Sequence, residues 1–326
     1  MTAGEFKERF DRLAKEMSRA VVGYQQSITD LLTGMFAGGN ILLEAPPGLG
    51  KTLLGKALAA ALSMKHTRIQ FTPDLMPADI VGTNIIVEDE RGRKEMVFRP
   101  GPVFTHVLLA DEINRATPKT QSALLEAMQE QHVTVAGRTH ALERPFLVVA
   151  TQNPEDIEGT YRLPEAQIDR FGFRLRLTAL SDGEWIEIVR RRTGAETREV
   201  RAVLSRDEVL RMQDAVREVG VPRAVCAEAA RLVHATRPDG EGAVESVRKY
   251  VRLGASPRGL QWMILGAKVR ALCDGRKEIN AADVRSVMVL ALSHRLLFNF
   301  EGQADRVQPE TILEDILAAA RQEEAA

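Results

Sequence analysis

A glycine-containing loop between an apolar run and a helix-like run constrains the fold of this chain more than any other feature. The loop EAPPGLGKT (residues 44–52) follows the apolar run ILL (41–43) and precedes the helix-like residues 53–62. Glycines let backbone N–H groups turn inward around an anion, and the N-terminus of the following helix adds the positive end of its dipole. This order predicts an α/β fold in which a parallel sheet, flanked by helices, carries a phosphate-binding loop.

The polar residues at the end of this loop indicate which phosphates it binds. Lys51 is expected to reach the β- and γ-phosphates of a nucleoside triphosphate, and Thr52 is expected to hold Mg²⁺ through its hydroxyl. The strict pattern begins with glycine, where this chain has Ala45, but the remaining positions of the cradle are present. The alternative is a loop that binds no ligand. The residues expected to contact the nucleotide are Pro47, Gly48, Leu49, Gly50, Lys51, Thr52 and Leu53.

A second apolar run ends in two acidic residues. The run VLLA (107–110) has the character of a buried central strand and leads directly to Asp111 and Glu112. Ligands of open α/β sheets bind at the carboxyl ends of the strands. We therefore expect Asp111 to hold Mg²⁺, directly or through water, and Glu112 to orient and deprotonate an attacking water. The alternative is a strand that ends in a solvated acidic turn.

A third apolar run, FLVVA (146–150), ends in the polar residues TQNP (151–154). As the third strand end of the series, it favours a role for Asn153 beside the γ-phosphate, where its amide would position the attacking water. The alternative is a turn residue before Pro154, since Asn-Pro marks turns.

Taken in order, these motifs resemble those of the AAA+ ATPases, and within them the MoxR-like group. The strings that carry the resemblance are GKT (50–52), DEINRA (111–116), TQNP (151–154), LPEAQIDRF (163–171) and SPR (256–258). The resemblance covers nearly the whole chain. It implies that Asn153 is the sensor-1 residue. It also implies that Arg170 is an arginine finger for the nucleotide of a neighbouring subunit, and that Arg258 is the sensor-2 arginine of a lid.

Alternatives stay open for two of the arginines and for the segment that would face adenine. Arg170 could instead form a surface ion pair with the adjacent acid, and Arg115 could contact a neighbouring nucleotide or pair within its own sheet. Arg258 is expected in the first turn of a helix capped by Ser256. In AAA+ proteins a segment similar to residues 21–25 contacts adenine, which suggests Val22 and Gly23 here; ordinary helix packing is equally compatible.

The motifs and a change in composition predict two domains. Residues 1–180 are expected to form the nucleotide-binding core, and residues 181–326 a helical lid. The core carries a hairpin-containing insertion at about residues 73–104, which resembles the helix-2 insert of the family, and a second hairpin at about 132–143, which resembles its pre-sensor-1 hairpin. The Glu/Ala-rich stretch after Gly302 is expected to fray.

Composition excludes several classes of function. Lys and Arg total 44 against 45 Asp and Glu, which gives no support for tight nucleic-acid binding. The two cysteines, Cys226 and Cys273, are expected to be buried reduced thiols, and no histidine spacing suggests a metal site. No apolar run approaches the roughly 18 residues needed to cross a bilayer. We therefore expect a cytoplasmic protein.

The resemblance implies an ATP- and Mg²⁺-dependent ring, most simply a hexamer, with a chaperone-like role. It would remodel or mature a client protein or complex, together with a von Willebrand factor A domain partner. The alternative from another class is a slow nucleotide-gated assembly or regulatory module. A nucleic-acid motor is a third hypothesis, because that branch shares the two hairpins, but the balanced charge argues against it.

Overall fold

A computed structural model provides the structure of the protein. It describes residues 1–88, 90, 92–154, 159–193 and 199–325. The polar turn predicted within the first insertion includes positions 89 and 91, which lie outside the described residues.

The chain alternates helices and strands up to residue 176 and is mostly helical beyond it. The strands are β1 (Ile41–Glu44), β2 (Leu62–Ser63), β3 (His66–Gln70), β4 (Gly82–Glu88), β5 (Lys94–Pro100), β6 (Val107–Asp111), β7 (His132–Val135), β8 (Arg138–Ala141), β9 (Leu147–Gln152), β10 (Phe173–Arg176), β11 (Leu204–Ser205), β12 (Val251–Leu253) and β13 (Leu297–Phe298). The α-helices are α1 (Ala3–Ala20), α2 (Gln25–Phe36), α3 (Lys51–Ala61), α4 (Pro77–Val81), α5 (Pro118–Glu130), α6 (Glu165–Ile168), α7 (Asp182–Thr193), α8 (Arg206–Glu218), α9 (Arg223–Ala235), α10 (Glu245–Tyr250), α11 (Pro257–Cys273), α12 (Ala281–Leu292), α13 (Phe300–Ala304) and α14 (Pro309–Ala325). The 3₁₀ helices are η1 (Ile113–Arg115) and η2 (Ser293–Arg295).

Five parallel strands form the central sheet, in the order β10-β1-β9-β6-β3. Strands β1 and β6 are buried along their whole length, which explains why their sequences are continuous apolar runs instead of alternating patterns. Because all five strands run in the same direction, their carboxyl ends meet at one edge. At this edge the ends of β1, β9 and β6 lie side by side. The three motifs found in the sequence, which are the phosphate loop, the polar residues 151–154 and the acidic pair, are therefore neighbours.

Alternate residues of each central strand contact opposite layers of helices. Leu43, Leu109 and Val149 belong to a hydrophobic cluster that continues through α1, α2 and the lid helices. Leu108 and Val148 belong to a second cluster, on the side of α5. The N-terminal helix α1 is amphipathic, and the residues Phe6, Phe10, Leu13 and Met17 on its apolar face are buried.

The two predicted hairpins are present as antiparallel pairs outside the central sheet. Strands β4 and β5 pair from Gly82↔Pro100 to Glu88↔Lys94, and β7 pairs with β8. The first hairpin exposes large apolar side chains on its directly paired residues Ile86 and Met96, at 68% and 65%.

The names core and lid are kept for residues 1–180 and 181–326. The lid is helical, and it adds a short antiparallel pair, β12–β13, that the sequence did not predict. Its β11 pairs with β2 of the core. No described helix has the length and apolar character that a membrane span requires.

Two predictions about the lid are wrong. The stretch expected to fray forms α14, in which Ile312, Leu313 and Ile316 are buried against the lid core. Cys226 is exposed, and only Cys273 is partly covered. Burial raises the pKa of the Cys273 thiol to about 12.

Candidate functional site

The loop between β1 and α3 has the backbone shape of an anion cradle. Gly48 and Gly50 have φ of 85° and 84°, in the left-handed region that favours glycine. A Cβ placed on either would meet nothing within 4 Å, so the conformation and not the space requires glycine. Ala45 is buried and its φ is not positive. An alanine therefore fits the one position that departs from the strict pattern.

Lys51 folds back onto its own loop. Its ammonium donates to the carbonyl oxygens of Ala45 and Pro46, the latter at 3.1 Å. Phosphate oxygens would offer these donors a charged acceptor instead, and hydrogen bonds between charged groups are stronger than bonds to neutral carbonyls. The loop thus keeps its lysine satisfied and close to where the phosphates are expected.

Asp111 links the loop to the rest of the sheet edge. Its Oδ1 accepts hydrogen bonds from the hydroxyls of Thr52, at 3.3 Å, and Thr151, at 3.2 Å. Its Oδ2 accepts from Arg68 Nε at 2.6 Å. The carboxylate is 2% exposed, and protein donors satisfy both of its oxygens. Sequence analysis did not identify Arg68, which lies in the middle of β3, as a site residue.

The donor set of Thr52 and Asp111 fits Mg²⁺, which prefers oxygen ligands and usually takes one or two carboxylates besides water and substrate phosphates. These are the two residues that the sequence assigned to the metal, and the structure brings them into direct contact. Among the described residues there is no group of three or more His, Cys, Asp or Glu side chains that could hold a metal ion.

Glu112 is held by two side chains at the same edge. Its Oε2 accepts from Gln70 Nε2 at 2.7 Å and lies 3.0 Å from Arg115 Nε. Its backbone has a left-handed φ of 57°, and its N–H donates to Thr151 Oγ1 at 3.0 Å. In this chain Arg115 pairs with Glu112, three residues before it, just beyond the end of β6. Sequence analysis did not identify Gln70 as a site residue.

Asn153 lies where the sequence placed it, just beyond the end of β9. Strand β9 lies between β1 and β6, so Asn153 is flanked by the phosphate loop on one side and the acidic pair on the other. The residue is buried, and its carbonyl oxygen accepts from Asn114 Nδ2 at 3.4 Å. The position of Asn153 fits the predicted role beside the γ-phosphate, and the residue is buried instead of lying in an exposed turn.

A cavity of about 250 Å³ adjoins the phosphate loop. It is bounded by Val22 and Tyr24 after α1, by Gly48, Leu49 and Leu53 at the loop, and by Trp185 on α7. Val22 thus borders the space beside the loop, a position that fits the predicted adenine contact. Trp185 is an aromatic side chain that the sequence analysis missed.

Gly23, the other residue expected near adenine, lines the neighbouring cavity, where an added Cβ would lie 2.5 Å from Glu184 Oε1.

The predicted lid arginine binds the acid that immediately precedes the predicted finger in the sequence. Arg258 NH1 donates to Asp169 Oδ2 at 2.9 Å. Asp169 immediately precedes Arg170, yet it pairs with lid arginines and not with its neighbour in sequence. Arg170 has no ion-pair partner among the described residues, and its side chain is partly exposed. The surface pair proposed as its alternative role is therefore not formed.

A second lid arginine, Arg295, completes this cluster. Its Nε donates to Asp169 Oδ1 at 2.8 Å, and its terminal nitrogens donate to the carbonyls of Phe171 at 2.7 Å and Gly172 at 3.2 Å. Burial lowers the pKa of Arg295 to about 10. Ser256 occupies the predicted N-cap position of α11, but its hydroxyl donates to Asp169 at 3.4 Å and makes no capping bond.

The fold and the site define a P-loop protein with a five-stranded parallel core and a helical lid. A model of the ATPase family associated with various cellular activities (AAA) matches residues 40–173, and a model of the AAA lid domain matches residues 244–316. The chain is 41% identical to "Chaperone MoxR1" of Mycobacterium tuberculosis, over 94% of this chain and 80% of that protein. It is 30% identical to "Protein MoxR" of Methylorubrum extorquens, over 94% of each.

Solved structures agree with these matches. The crystal structure of a protein from Cytophaga hutchinsonii ATCC 33406, described as an ATPase candidate, superposes with a TM-score of 0.87 at 38% identity. The superposition covers 97% of this chain and 96% of that one. The chain belongs to the MoxR-like AAA+ ATPases.

Proposed function

We propose that this chain binds ATP with Mg²⁺ and hydrolyses it to ADP and phosphate. The observation that carries the proposal is the hydrogen bond between Thr52 Oγ1 and Asp111 Oδ1, at 3.3 Å. It brings the end of the phosphate loop to the acidic strand end, so that the binding residues and Glu112 lie at one edge of the sheet. Membership of an ATPase family supports the same reaction.

Each residue at this edge then has a distinct role. Lys51 and the loop N–H groups bind the phosphates, while Thr52 and Asp111 hold Mg²⁺, which neutralises phosphate charge when it is bound. Glu112 takes a proton from the attacking water, and Asn153 orients that water. The cavity next to the loop accepts the adenine, with Val22 on one side and Gly23 close by, in the lining of the neighbouring cavity.

Two arginines that do not belong to this edge of the sheet complete the site. Arg258 approaches the γ-phosphate from the lid. Arg170 reaches the nucleotide of a neighbouring subunit, so that the working form is a ring, most simply a hexamer. The partial exposure of Arg170 supports this role, as does the lack of a bond to the adjacent Asp169, whose carboxylate is occupied by lid side chains.

The work of such a ring is done on other proteins. We infer a chaperone-type function, in which nucleotide-driven motion remodels or matures a client together with a von Willebrand factor A domain partner in the cytoplasm. A relative named "Chaperone MoxR1" supports this role. The exposed apolar residues Ile86 and Met96 on the first hairpin offer a surface for a client chain.

The test is steady-state phosphate release per subunit, measured across protein concentration for wild type, Arg170→Ala and the control Arg162→Ala. Arg162 is an exposed arginine eight residues earlier. We expect specific activity to rise with concentration and to fall about 10³-fold in Arg170→Ala, the lower end of the range for arginine fingers. The control should keep wild-type activity. Activity that is independent of concentration and of Arg170 would contradict the shared site.

A slower, switch-like module is the second candidate. It is favoured by the state of three site residues, since Lys51, Glu112 and Arg258 are all engaged by protein partners that nucleotide would have to replace. The turnover number of the assembled ring separates the two functions. Values in the range of typical enzymes, about 1 s⁻¹ or more, support the remodelling ATPase, and values far below it support the switch.

A further inference from the structure

Asp169 is the residue through which the lid contacts the core next to the predicted finger. It follows α6 and immediately precedes Arg170, on the segment that leads to β10. Its three side-chain donors, Ser256, Arg258 and Arg295, all belong to the lid. No other carboxylate in the described part of the chain accepts hydrogen bonds from three side chains of the lid.

The two arginines on this carboxylate differ in how firmly they are held. Arg295 is 2% exposed, and besides Asp169 it donates to the carbonyls of Phe171 and Gly172. Arg258 is 42% exposed, and its bond to Asp169 Oδ2 is the contact that ties it to the core. Removing Arg295 would leave several buried carbonyls unpaired, whereas Arg258 can exchange its partner in contact with water.

We propose that Asp169 is a positioning residue that holds Arg258 when no triphosphate is bound, and that the γ-phosphate of ATP takes Arg258 from it. This inference rests on the proposed function, which assigns Arg258 to the γ-phosphate. Arg295 remains bound and keeps the lid attached to the core, so that the exchange is confined to one guanidinium. The carboxylate and the phosphate are competing anionic acceptors for the same donor.

The exchange has a consequence for nucleotide preference. ADP has no γ-phosphate and leaves Arg258 on Asp169, whereas ATP has to displace the carboxylate before it gains the arginine. Weakening the contact to Asp169 should therefore improve the binding of ATP but not that of ADP. The effect should exist only while Arg258 is present, because a ligand shifts an equilibrium only through its differential affinity for the two states.

The test is a double-mutant cycle on the full-length protein, with Glu112→Gln in every variant to prevent hydrolysis. Dissociation constants for Mg²⁺-ATP and Mg²⁺-ADP are measured by calorimetry for the parent, Asp169→Asn, Arg258→Ala and the double variant. Asparagine keeps an oxygen for Arg295 and removes the charge that competes for Arg258. We expect Asp169→Asn to raise the preference for ATP over ADP by about threefold to tenfold, and to have no such effect beside Arg258→Ala.

Each outcome decides a different claim. If Arg258→Ala leaves the ATP preference unchanged, the assignment of Arg258 to the γ-phosphate fails, and the proposed function has to be revised. If Arg258→Ala lowers that preference but Asp169→Asn does not raise it, only the present inference is overturned. A rise that persists beside Arg258→Ala would give Asp169 a purely structural role.

Folding of the variants is checked by circular dichroism and gel filtration. If Asp169→Asn does not fold, the same cycle is run with Asp169→Glu, which keeps a negative charge for Arg295 but moves the carboxylate by one methylene. The preference for ATP should again rise, by less, and only in the presence of Arg258. An unchanged preference in folded Asp169→Glu would overturn the inference.

Discussion

Two aspartates of this molecule each accept several hydrogen bonds, but their donors come from different places. Asp111 is 2% exposed, and its donors, among them Arg68, all belong to the core. Asp169 has a side chain that is 25% exposed, and its donors, among them Arg258 and Arg295, all belong to the lid. The first acid is fixed by its own domain, whereas the second connects two domains.

The difference bears on which part of the proposed site is ready before nucleotide arrives. The donors of Asp111 come from β3, β9 and the first turn of α3, all in the core, so the proposed metal ligand keeps them when the lid moves. Donors across a domain contact can separate when one domain rotates, so Asp169 can lose donors that Asp111 keeps. The proposed function therefore puts the chemistry at the edge of the core sheet and the response to nucleotide at the contact between core and lid.

The largest expected effect lies on the rigid edge. Glu112→Gln keeps the size of the side chain and its acceptor for Gln70 but removes the general base, so we expect phosphate release to fall about 10²–10⁴-fold. Binding of ATP should change little, because the loop and Asp111 are untouched. Calorimetry and phosphate release measure the two quantities, with Glu126→Gln on the exposed face of α5 as the control. Normal turnover in Glu112→Gln would remove this residue from catalysis.

The next largest effect is on the free energy of unfolding, and it distinguishes the two arginines that bind Asp169. Arg295→Met removes one partner of a buried ion pair, so we expect the free energy of unfolding to fall by about 3 kcal/mol. Arg258→Met should cost less than about 1 kcal/mol, because that pair is exposed to water. Denaturation can be followed by tryptophan fluorescence, since Trp262 of the lid packs against Phe173 of the core, with ring centroids 5.6 Å apart. Equal losses would break the distinction between a fixed and an exchangeable arginine.

A smaller effect concerns the cavity beside the phosphate loop. We expect Trp185→Ala to weaken ADP binding by about tenfold, because the indole supplies the largest aromatic surface of that cavity. Ile186→Ala is the matched control, since Ile186 is the next residue and is 69% exposed. Calorimetry with ADP avoids hydrolysis. An unchanged dissociation constant for Trp185→Ala would place the base elsewhere.

The smallest expected effect concerns the reactivity of the two thiols of the lid, one in its interior and one on its surface. Burial raises the pKa of Cys273 to about 12, so its thiol stays protonated at pH 8 and reacts slowly, since the thiolate is the nucleophile. We expect a disulfide reagent to modify one thiol per chain rapidly, the exposed Cys226. Cys226→Ser should abolish this rapid phase. Two rapid thiols in the wild type would show that the interior of the lid opens easily.

The sequence predicted the core and its edge well, because the signals there are local. The apolar runs before Asp111 and Asn153 became β6 and β9, and the glycine pattern became a loop with two left-handed residues. In each case the residue type is required by the backbone or by burial at that same position. Predictions of this kind need no knowledge of what lies opposite.

The contacts between distant segments were not predictable in the same way. Arg68 and Gln70 lie some 40 residues before the acids that they contact, and Arg295 lies 126 residues beyond Asp169. Cys226 has apolar neighbours in the sequence, yet it is exposed. The face that a helix buries at its first turn depends on where the surrounding helices end.

The sequence by itself determined that this chain is a P-loop protein with two acids, the predicted magnesium ligand and the predicted base, at the edge of a parallel sheet. Those features follow from residue type and order, since glycine conformations, apolar strands and strand-end polar groups are local properties. Only the tertiary structure decided which partners hold these groups. The tertiary structure alone paired Asp169 with two lid arginines of unequal burial, because the strength of an ion pair depends on the solvent and the segments that packing places around it.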